Sequence, residues 1–418
     1  MQKQRLVISI SSLAALLVSL PLTPSVDAVS ARSDYSLNPN NWFGSLTPFV
    51  YGEAPGGSNY WFYCVALLKV AFFTAGLILL VKNRRISNKS SFLFAFFGAT
   101  YSAWVIRDSL LFSLMILALG LLVANSNSNN AREKFFVFFG LCLLIISLTI
   151  RPFLGIAFIP VFFLIFKNLA RIRIIAVSLA IIFSVVPLAL DTGLSRILGQ
   201  SNSYPAQQIV IFDIAQMACW SSNEEVRAKA LNALLPLADA ENFDSLCENL
   251  KPYNWQFLVY GFESNSANSL ERLTKEDSLK YRNLTRSYLH LSIQRPDELL
   301  KIKFRNFSEL MFANGQFDGV ENSGSLNSNL LKVLDKLHLF SWIVIIPFIG
   351  FLIFKKAILR RNSEASSDVL VFSVLMSGIL MIPLISIFYV GAIGRYTFLP
   401  VFILLLSITL LKDSKRTS

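Results

Sequence analysis

The chain has 418 residues, of which 54% are hydrophobic and only 15% are charged, and its mean hydropathy is +0.54. This composition excludes an ordinary soluble domain and predicts an integral membrane protein. The net charge of +12 does not indicate nucleic-acid binding, because residues 191–337 carry 15 basic and 18 acidic side chains and the positive excess lies elsewhere.

Ten hydrophobic segments predict an all-α fold, a polytopic bundle of about ten transmembrane helices. Each segment is long enough, or nearly so, to cross roughly 30 Å of hydrocarbon as a helix. Because Lys3 and Arg5 precede the first segment, residues 1–28 also fit a cleaved signal peptide, although we favour an uncleaved helix. The segments are 6–22, 60–81, 91–106, 109–124, 135–150, 153–168, 174–190, 339–354, 369–390 and 396–411.

Positive charges indicate the side of the membrane that each connection faces. With the N-terminus inside, the inside connections hold 18 lysines and arginines, whereas the short outside connections hold four. The positive-inside rule describes this asymmetry, so we expect both termini in the cytoplasm at a plasma (inner) membrane. The predicted regions are a seven-helix bundle at 1–190, a helical extracytoplasmic domain at 191–337 and three further helices at 338–418.

The first external loop, residues 23–59, is rich in proline and aromatic residues. Prolines prevent a long helix, and aromatic rings favour the interface between membrane and water. We therefore expect short interfacial helices or turns that cover the mouth of a cavity. The acidic residues of this loop are Asp27, Asp34 and Glu53.

The extracytoplasmic segment shows mainly helical patterns. Asn223 is a candidate N-cap of an amphipathic helix, and residues 276–293 form a second periodic stretch. Pro296 suits the first turn of a third helix, which fits either a helix resting on the membrane surface or one packed in the domain core. The strand pattern is limited to Gln208–Phe212.

Two of the four cysteines lie in this extracytoplasmic segment. Cys219 and Cys247 are 28 residues apart, and an oxidising exterior would allow them to form a disulfide. The alternative is a pair of buried thiols. Cys64 and Cys142 fall within predicted spans, where we expect them to pack as apolar residues.

Five charged residues break the sorting of charge between the two sides of the membrane. Lys69 lies within the second span, whereas Arg107, Asp108, Arg151 and Arg395 lie in very short external turns. A charge at such a depth is costly and is usually paired or faces an aqueous cavity. We expect the four cations to bind a lipid phosphate head group. The alternative is that each side chain separately reaches lipid phosphates.

Several segments resemble those of bacterial envelope proteins of the C-type, integral-membrane glycosyltransferase superfamily. The layout is also similar, with an interfacial loop after the first span and a large external domain between the seventh and eighth. The matching segments are Trp104–Leu110, Arg151-Pro152, Phe212–Ala215, Pro252–Trp255, Arg295–Lys301 with Arg305, and Gly394–Tyr396 with Pro400.

This resemblance implies a reaction at the outer leaflet. Such enzymes transfer a sugar from a polyprenyl-phosphate carrier to a glycan, lipid or protein acceptor, and an acid of the first external loop usually acts as general base. We accordingly expect Asp34 to be the base, with Asp108 as the second candidate. The lipid phosphate would be held by Lys69, Arg107, Arg151 and Arg395.

No metal site is predicted, since the two histidines, His290 and His338, lack ligand spacing, and any need for a divalent ion stays open. Two other classes of function fit the same pattern. An envelope polysaccharide polymerase or ligase would move a whole glycan from the same carrier. A transporter or a structural membrane protein is the non-enzymatic alternative, although the two halves show no repeat.

Overall fold

The computed structural model is helical, and the part of the chain that it describes contains no strand. The described residues are 2–20, 60–82, 86–104, 106–125, 130–169, 172–200, 207–237, 275–312, 366–388 and 395–413, with positions 22, 47, 50, 51, 247, 248, 250 and 273. The all-α prediction is confirmed for these residues. The predicted eighth span, 339–354, lies outside them.

The N-terminal helices follow the predicted spans closely. A short 3₁₀ helix, Pro152–Phe158, directly precedes α6. The helices are α1 Gln2–Val18, α2 Tyr60–Val81, α3 Asn88–Ala103, α4 Arg107–Ala124, α5 Ala131–Leu148, α6 Ile159–Leu169 and α7 Arg173–Ile197. The later helices are α8 Gln207–Trp220, α9 Glu224–Leu234, α10 Ser278–Gln294, α11 Pro296–Phe312, α12 Ser366–Phe388 and α13 Arg395–Asp413.

Among the residues that the structure describes, three helices, α2, α4 and α7, are long and apolar enough to cross a membrane. Shorter apolar stretches lie at Pro152–Lys167, Val369–Ile385 and Phe398–Leu411. These lengths are compatible with a membrane protein. The full bundle of ten spans and its topology stay predictions.

Glycines allow α2 and α4 to pack with their backbones in contact. A Cβ atom on Gly76 would lie 2.6 Å from the carbonyl carbon of Ile116, and one on Gly120 would lie 2.5 Å from Gly76 O. Small residues permit this approach between apolar helices. The contact aligns the two helices so that Lys69 of α2 lies beside the start of α4.

Aromatic rings connect α13 to the same part of the bundle. The ring of Tyr101 in α3 stacks on that of Phe398 in α13, with centroids 4.0 Å apart. Phe112 of α4 meets Phe398 in an edge contact at 5.4 Å. The start of α13 therefore lies close to the end of α3 and the first turns of α4.

The described residues of the segment 191–337 are mainly helical, and the predicted strand at Gln208–Phe212 is wrong. These residues belong to α8, whose side chains from Val210 to Ala218 are buried. A short, continuously apolar run carries no periodicity that separates a buried strand from a buried helix. The predicted helices after Asn223 and from Pro296 are confirmed as α9 and α11.

The predicted disulfide is confirmed. Cys219, near the end of α8, is bonded to Cys247, with their Cα atoms 5.2 Å apart. Arg305 of α11 also packs over the Trp220 ring at 3.8 Å, which is the distance of a cation–π contact. Both contacts hold the end of α8 within the helical domain.

Candidate functional site

The candidate site is centred on the break between α3 and α4, at Trp104 and Ile106, together with the first turn of α4 as far as Ser109; we call this region the Trp104–Ser109 turn. Trp104 and Ile106 have extended backbone conformations, with ψ angles of 126° and 154°, and these end one helix and begin the next. Such a break leaves backbone carbonyl groups without helical partners in an apolar setting. Side-chain partners therefore satisfy them, and Ser109 Oγ of α4 lies within hydrogen-bond distance of both Trp104 O and Ile106 O.

Lys69 supplies one of these partners. Its Nζ donates to Trp104 O at 2.6 Å and to Ser109 Oγ at 2.7 Å, and the side chain is fully buried. The Lys69 side chain thus links Trp104, the first residue of the turn, to Ser109, the last. This position makes Lys69 a support of the turn.

Tyr51, from the segment between α1 and α2, also contacts the turn. Its hydroxyl donates to Ile106 O at 2.9 Å, and its ring centroid lies 6.0 Å from Lys69 Nζ. The side chain is fully buried. At this residue the segment between α1 and α2 packs onto the helices.

Asp108 and Arg151 form a buried ion pair at the start of α4. Arg151 Nε donates to Asp108 Oδ1 at 2.8 Å, and Nη2 donates to Oδ2 at 3.2 Å. This two-point geometry is the strong form of an arginine–carboxylate contact. Asp108 also lies in the first turn of α4, where the helix dipole favours a negative charge. The pair ties α4 to the residue that precedes the 3₁₀ helix.

The structure brings most of the predicted site residues to one place. Lys69, Asp108 and Arg151 converge on the Trp104–Ser109 turn, and Arg107 belongs to the turn and is partly exposed. Arg395 begins α13, one helical turn before Phe398, which stacks on α3. Asp34 lies outside the described residues. The chemical roles of all six residues stay predictions.

Sequence reasoning missed Ser109 and Tyr51. Ser109 follows the Arg107-Asp108 pair directly, so its proximity to the two charges was a usable signal. Tyr51 had no comparable signal, because aromatic residues abound in the loop and any of them fits an interface.

A second buried polar cluster joins α8, α10 and α11 to α12. Asp213 Oδ1 accepts from Lys303 Nζ at 2.8 Å, and Oδ2 accepts from the Tyr288 hydroxyl at 2.9 Å. Lys303 also donates to Ile387 O at 2.9 Å. Burial raises the pKa of Asp213, and the contacts with Lys303 and Tyr288 oppose that rise. Burial likewise raises the pKa of Tyr288.

An amide pair extends this cluster along α8 and α11. Gln216 Nε2 donates to Asn306 Oδ1 at 2.9 Å, and Asn306 Nδ2 donates back to Gln216 Oε1 at 3.0 Å. Both side chains are buried and satisfy each other, which favours one register between the two helices. Together with the Asp213–Lys303 pair, this contact holds α8 against α11.

Among the described residues, no group of three or more histidine, cysteine, aspartate or glutamate side chains is placed to hold a metal ion. The chain matches no protein-family model, no curated protein and no solved structure.

Proposed function

We propose that this protein is a membrane glycosyltransferase that acts at the outer leaflet. It would move a sugar from a polyprenyl-phosphate carrier to a glycan, lipid or protein acceptor of the cell envelope. The observation that supports this proposal most is the convergence of Lys69, Asp108 and Arg151 on one turn inside an apolar bundle. Clustered charges at such a depth are costly and typically serve function.

The site residues take different parts in this proposal. Lys69 and the Asp108–Arg151 pair hold the Trp104–Ser109 turn in one conformation, so they act as positioning residues. Arg107, which is partly exposed, and Arg395, at the start of α13, are the arginines that would meet the lipid phosphate. Arginine suits that task because its guanidinium group matches a phosphate at two points.

Asp34 is the proposed general base. Asp108 is the weaker candidate, because both of its carboxylate oxygens accept hydrogen bonds from Arg151. In the proposed step, Asp34 takes the proton of the acceptor hydroxyl while that oxygen bonds to the anomeric carbon of the sugar. The bond from that carbon to the phosphate oxygen breaks, and the departing lipid phosphate carries negative charge that the arginines stabilise.

The test uses the purified full chain in proteoliposomes with radiolabelled polyprenyl-phosphate monosaccharides and an envelope fraction as acceptor. Wild-type protein should transfer label from one of the donors, and Asp34→Asn should reduce transfer by at least about 10²-fold, the lower range for a general base. Transfer by Asp34→Asn at the wild-type rate would refute the role of Asp34 as general base. Absence of transfer by the wild-type protein from every donor would refute the proposed glycosyltransferase activity.

A further inference from the structure

Two large apolar side chains on α11 are uncovered. Leu300 is 67% exposed and Phe304 is 71% exposed, and they lie one helical turn apart on the same face. The opposite face of α11 is buried in the extracytoplasmic domain through Ile302 and Asn306. The helix is therefore packed on one side and apolar on the other.

Further along α11, the same buried side of the helix packs on α12. Lys303 donates to Ile387 O near the end of α12, and Phe307, one turn further along α11, packs against the apolar cluster of α12 and α13 that includes Ile382. Hence α11 meets α12 near the end of that helix.

The contact between Lys303 and Ile387 also places Phe304 relative to α12. The residue lies between Lys303 and Phe307 in the chain, so it is level with the last turns of α12. Ile387 in these turns is itself 43% exposed, and α12 contains the apolar stretch Val369–Ile385. Exposed apolar side chains therefore lie on both helices near the contact between Lys303 and Ile387.

We infer that α11 lies in the outer interface of the lipid bilayer, with Leu300 and Phe304 among the acyl chains. A bilayer would cover the exposed end of α12 and the apolar face of α11 at once, as happens with interfacial amphipathic helices. The inference rests on the membrane-spanning course of α12, which is part of the proposed function, and it is independent of sugar transfer.

Spin labels test this placement in the full chain. Cys64 and Cys142 are replaced by serine, and single cysteines are introduced as Phe304→Cys and, separately, Leu300→Cys. Two reference sites receive the same label: Ala228, exposed on α9, and Leu68, 51% exposed on α2. The labelled proteins are reconstituted in phosphatidylcholine–phosphatidylglycerol vesicles. Collisions are measured with oxygen, which concentrates in lipid, and with a water-soluble nickel chelate.

At positions 304 and 300 the oxygen-to-nickel collision ratio should match that at Leu68 and exceed that at Ala228 severalfold. A ratio at both positions equal to that at Ala228, with Leu68 in lipid, would overturn the inference alone. Shielding from both reagents would also overturn it, because a second copy or a protein partner would then cover the face. A water-like ratio at Leu68 would instead refute the membrane-spanning bundle.

Discussion

Three buried basic side chains of the described residues have partners within the chain. Arg151 is paired with Asp108, Lys303 with Asp213, and Lys69 with a carbonyl and a hydroxyl group. Removing one member of a buried pair leaves an uncompensated charge, which costs more than the pair contributes. At the residue scale, single substitutions in these pairs should therefore be more damaging than double substitutions.

Replacing Arg151 by methionine should destabilise the bundle by about 3–5 kcal/mol, because Asp108 would keep a buried and unpaired carboxylate. The double variant Asp108→Leu/Arg151→Met should recover much of the loss. Thermal unfolding in detergent, followed by size-exclusion chromatography, measures both effects.

The matched control is the exposed pair of Glu225 and Lys229, whose side chains are 74% and 42% exposed. Lys229→Met should change the stability by no more than about 1 kcal/mol. If Arg151→Met is as stable as the wild-type protein, the Asp108–Arg151 ion pair does not stabilise the helix bundle.

Lys303→Met should destabilise the protein in a pH-dependent way. Without the ammonium group, burial of Asp213 is less opposed, so the pKa of this carboxyl rises further above its unfolded value. A raised carboxyl pKa favours the folded state at low pH, and that contribution is lost as the pH rises through the folded pKa. The loss of thermal stability should therefore be larger at about pH 8 than at about pH 5.

The double variant Asp213→Asn/Lys303→Met serves as the control for this pH effect, because an amide does not titrate. Its stability deficit relative to the wild-type protein should vary less with pH than that of Lys303→Met. Equal deficits of Lys303→Met at both pH values would show that Asp213 does not carry the effect.

At the scale of elements, the site depends on how closely α2 and α4 approach. The contact between Gly76 and the backbone at Ile116 leaves no room for a Cβ atom. Because Lys69 precedes Gly76 on α2 by about two helical turns, any separation of the helices there also moves the ammonium group. The glycine contact and the Trp104–Ser109 turn are thus mechanically linked.

Gly76→Ala should lower stability by about 1–3 kcal/mol, since the added methyl group meets the α4 backbone. Gly193→Ala, in α7, is the matched control, because nothing lies within 4 Å of its Cβ position. Thermal unfolding compares the two variants. If Gly76→Ala and Gly193→Ala change the stability by the same amount, the close packing of α2 and α4 is refuted.

The sequence predicted the element types well where the physical signal was long. Spans such as Tyr60–Val81 have no competing pattern, and Asn223 carried a recognisable N-cap. The short apolar run at Gln208–Phe212 had no such signal, and burial in α8 decided its conformation. The buried role of Lys303 was also missed, because spacing within one helix does not reveal that Asp213 lies opposite it.

For the candidate site, residues that break a charge rule were found from the sequence, whereas their partners were not. Lys69 and Arg151 were notable because each violates the sorting of positive charge. The pairing of Arg151 with Asp108 joins residues 43 positions apart, and no local pattern encodes such a contact. The sequence therefore indicated which charged residues are candidates for the site, and the structure showed their contacts.

At the scale of the whole molecule, the proposal joins a membrane bundle to an extracytoplasmic helical domain around one polar site. Positioning residues lie beneath the Trp104–Ser109 turn, and Arg107 is the part of that turn left partly exposed. The domain is attached to α12 through Lys303. On this view the apolar bundle fixes the geometry, and the exposed arginine binds the lipid phosphate.

The most direct measurement is native mass spectrometry of the detergent-solubilised full chain with a polyprenyl phosphate as the probe. Arg107→Ala should weaken its binding by roughly 10- to 100-fold, as expected for the loss of one charge-assisted contact. Arg173→Ala, an exposed arginine at the start of α7, should leave binding unchanged. Equal binding by the wild-type protein and Arg107→Ala, with both folded, would contradict the phosphate site.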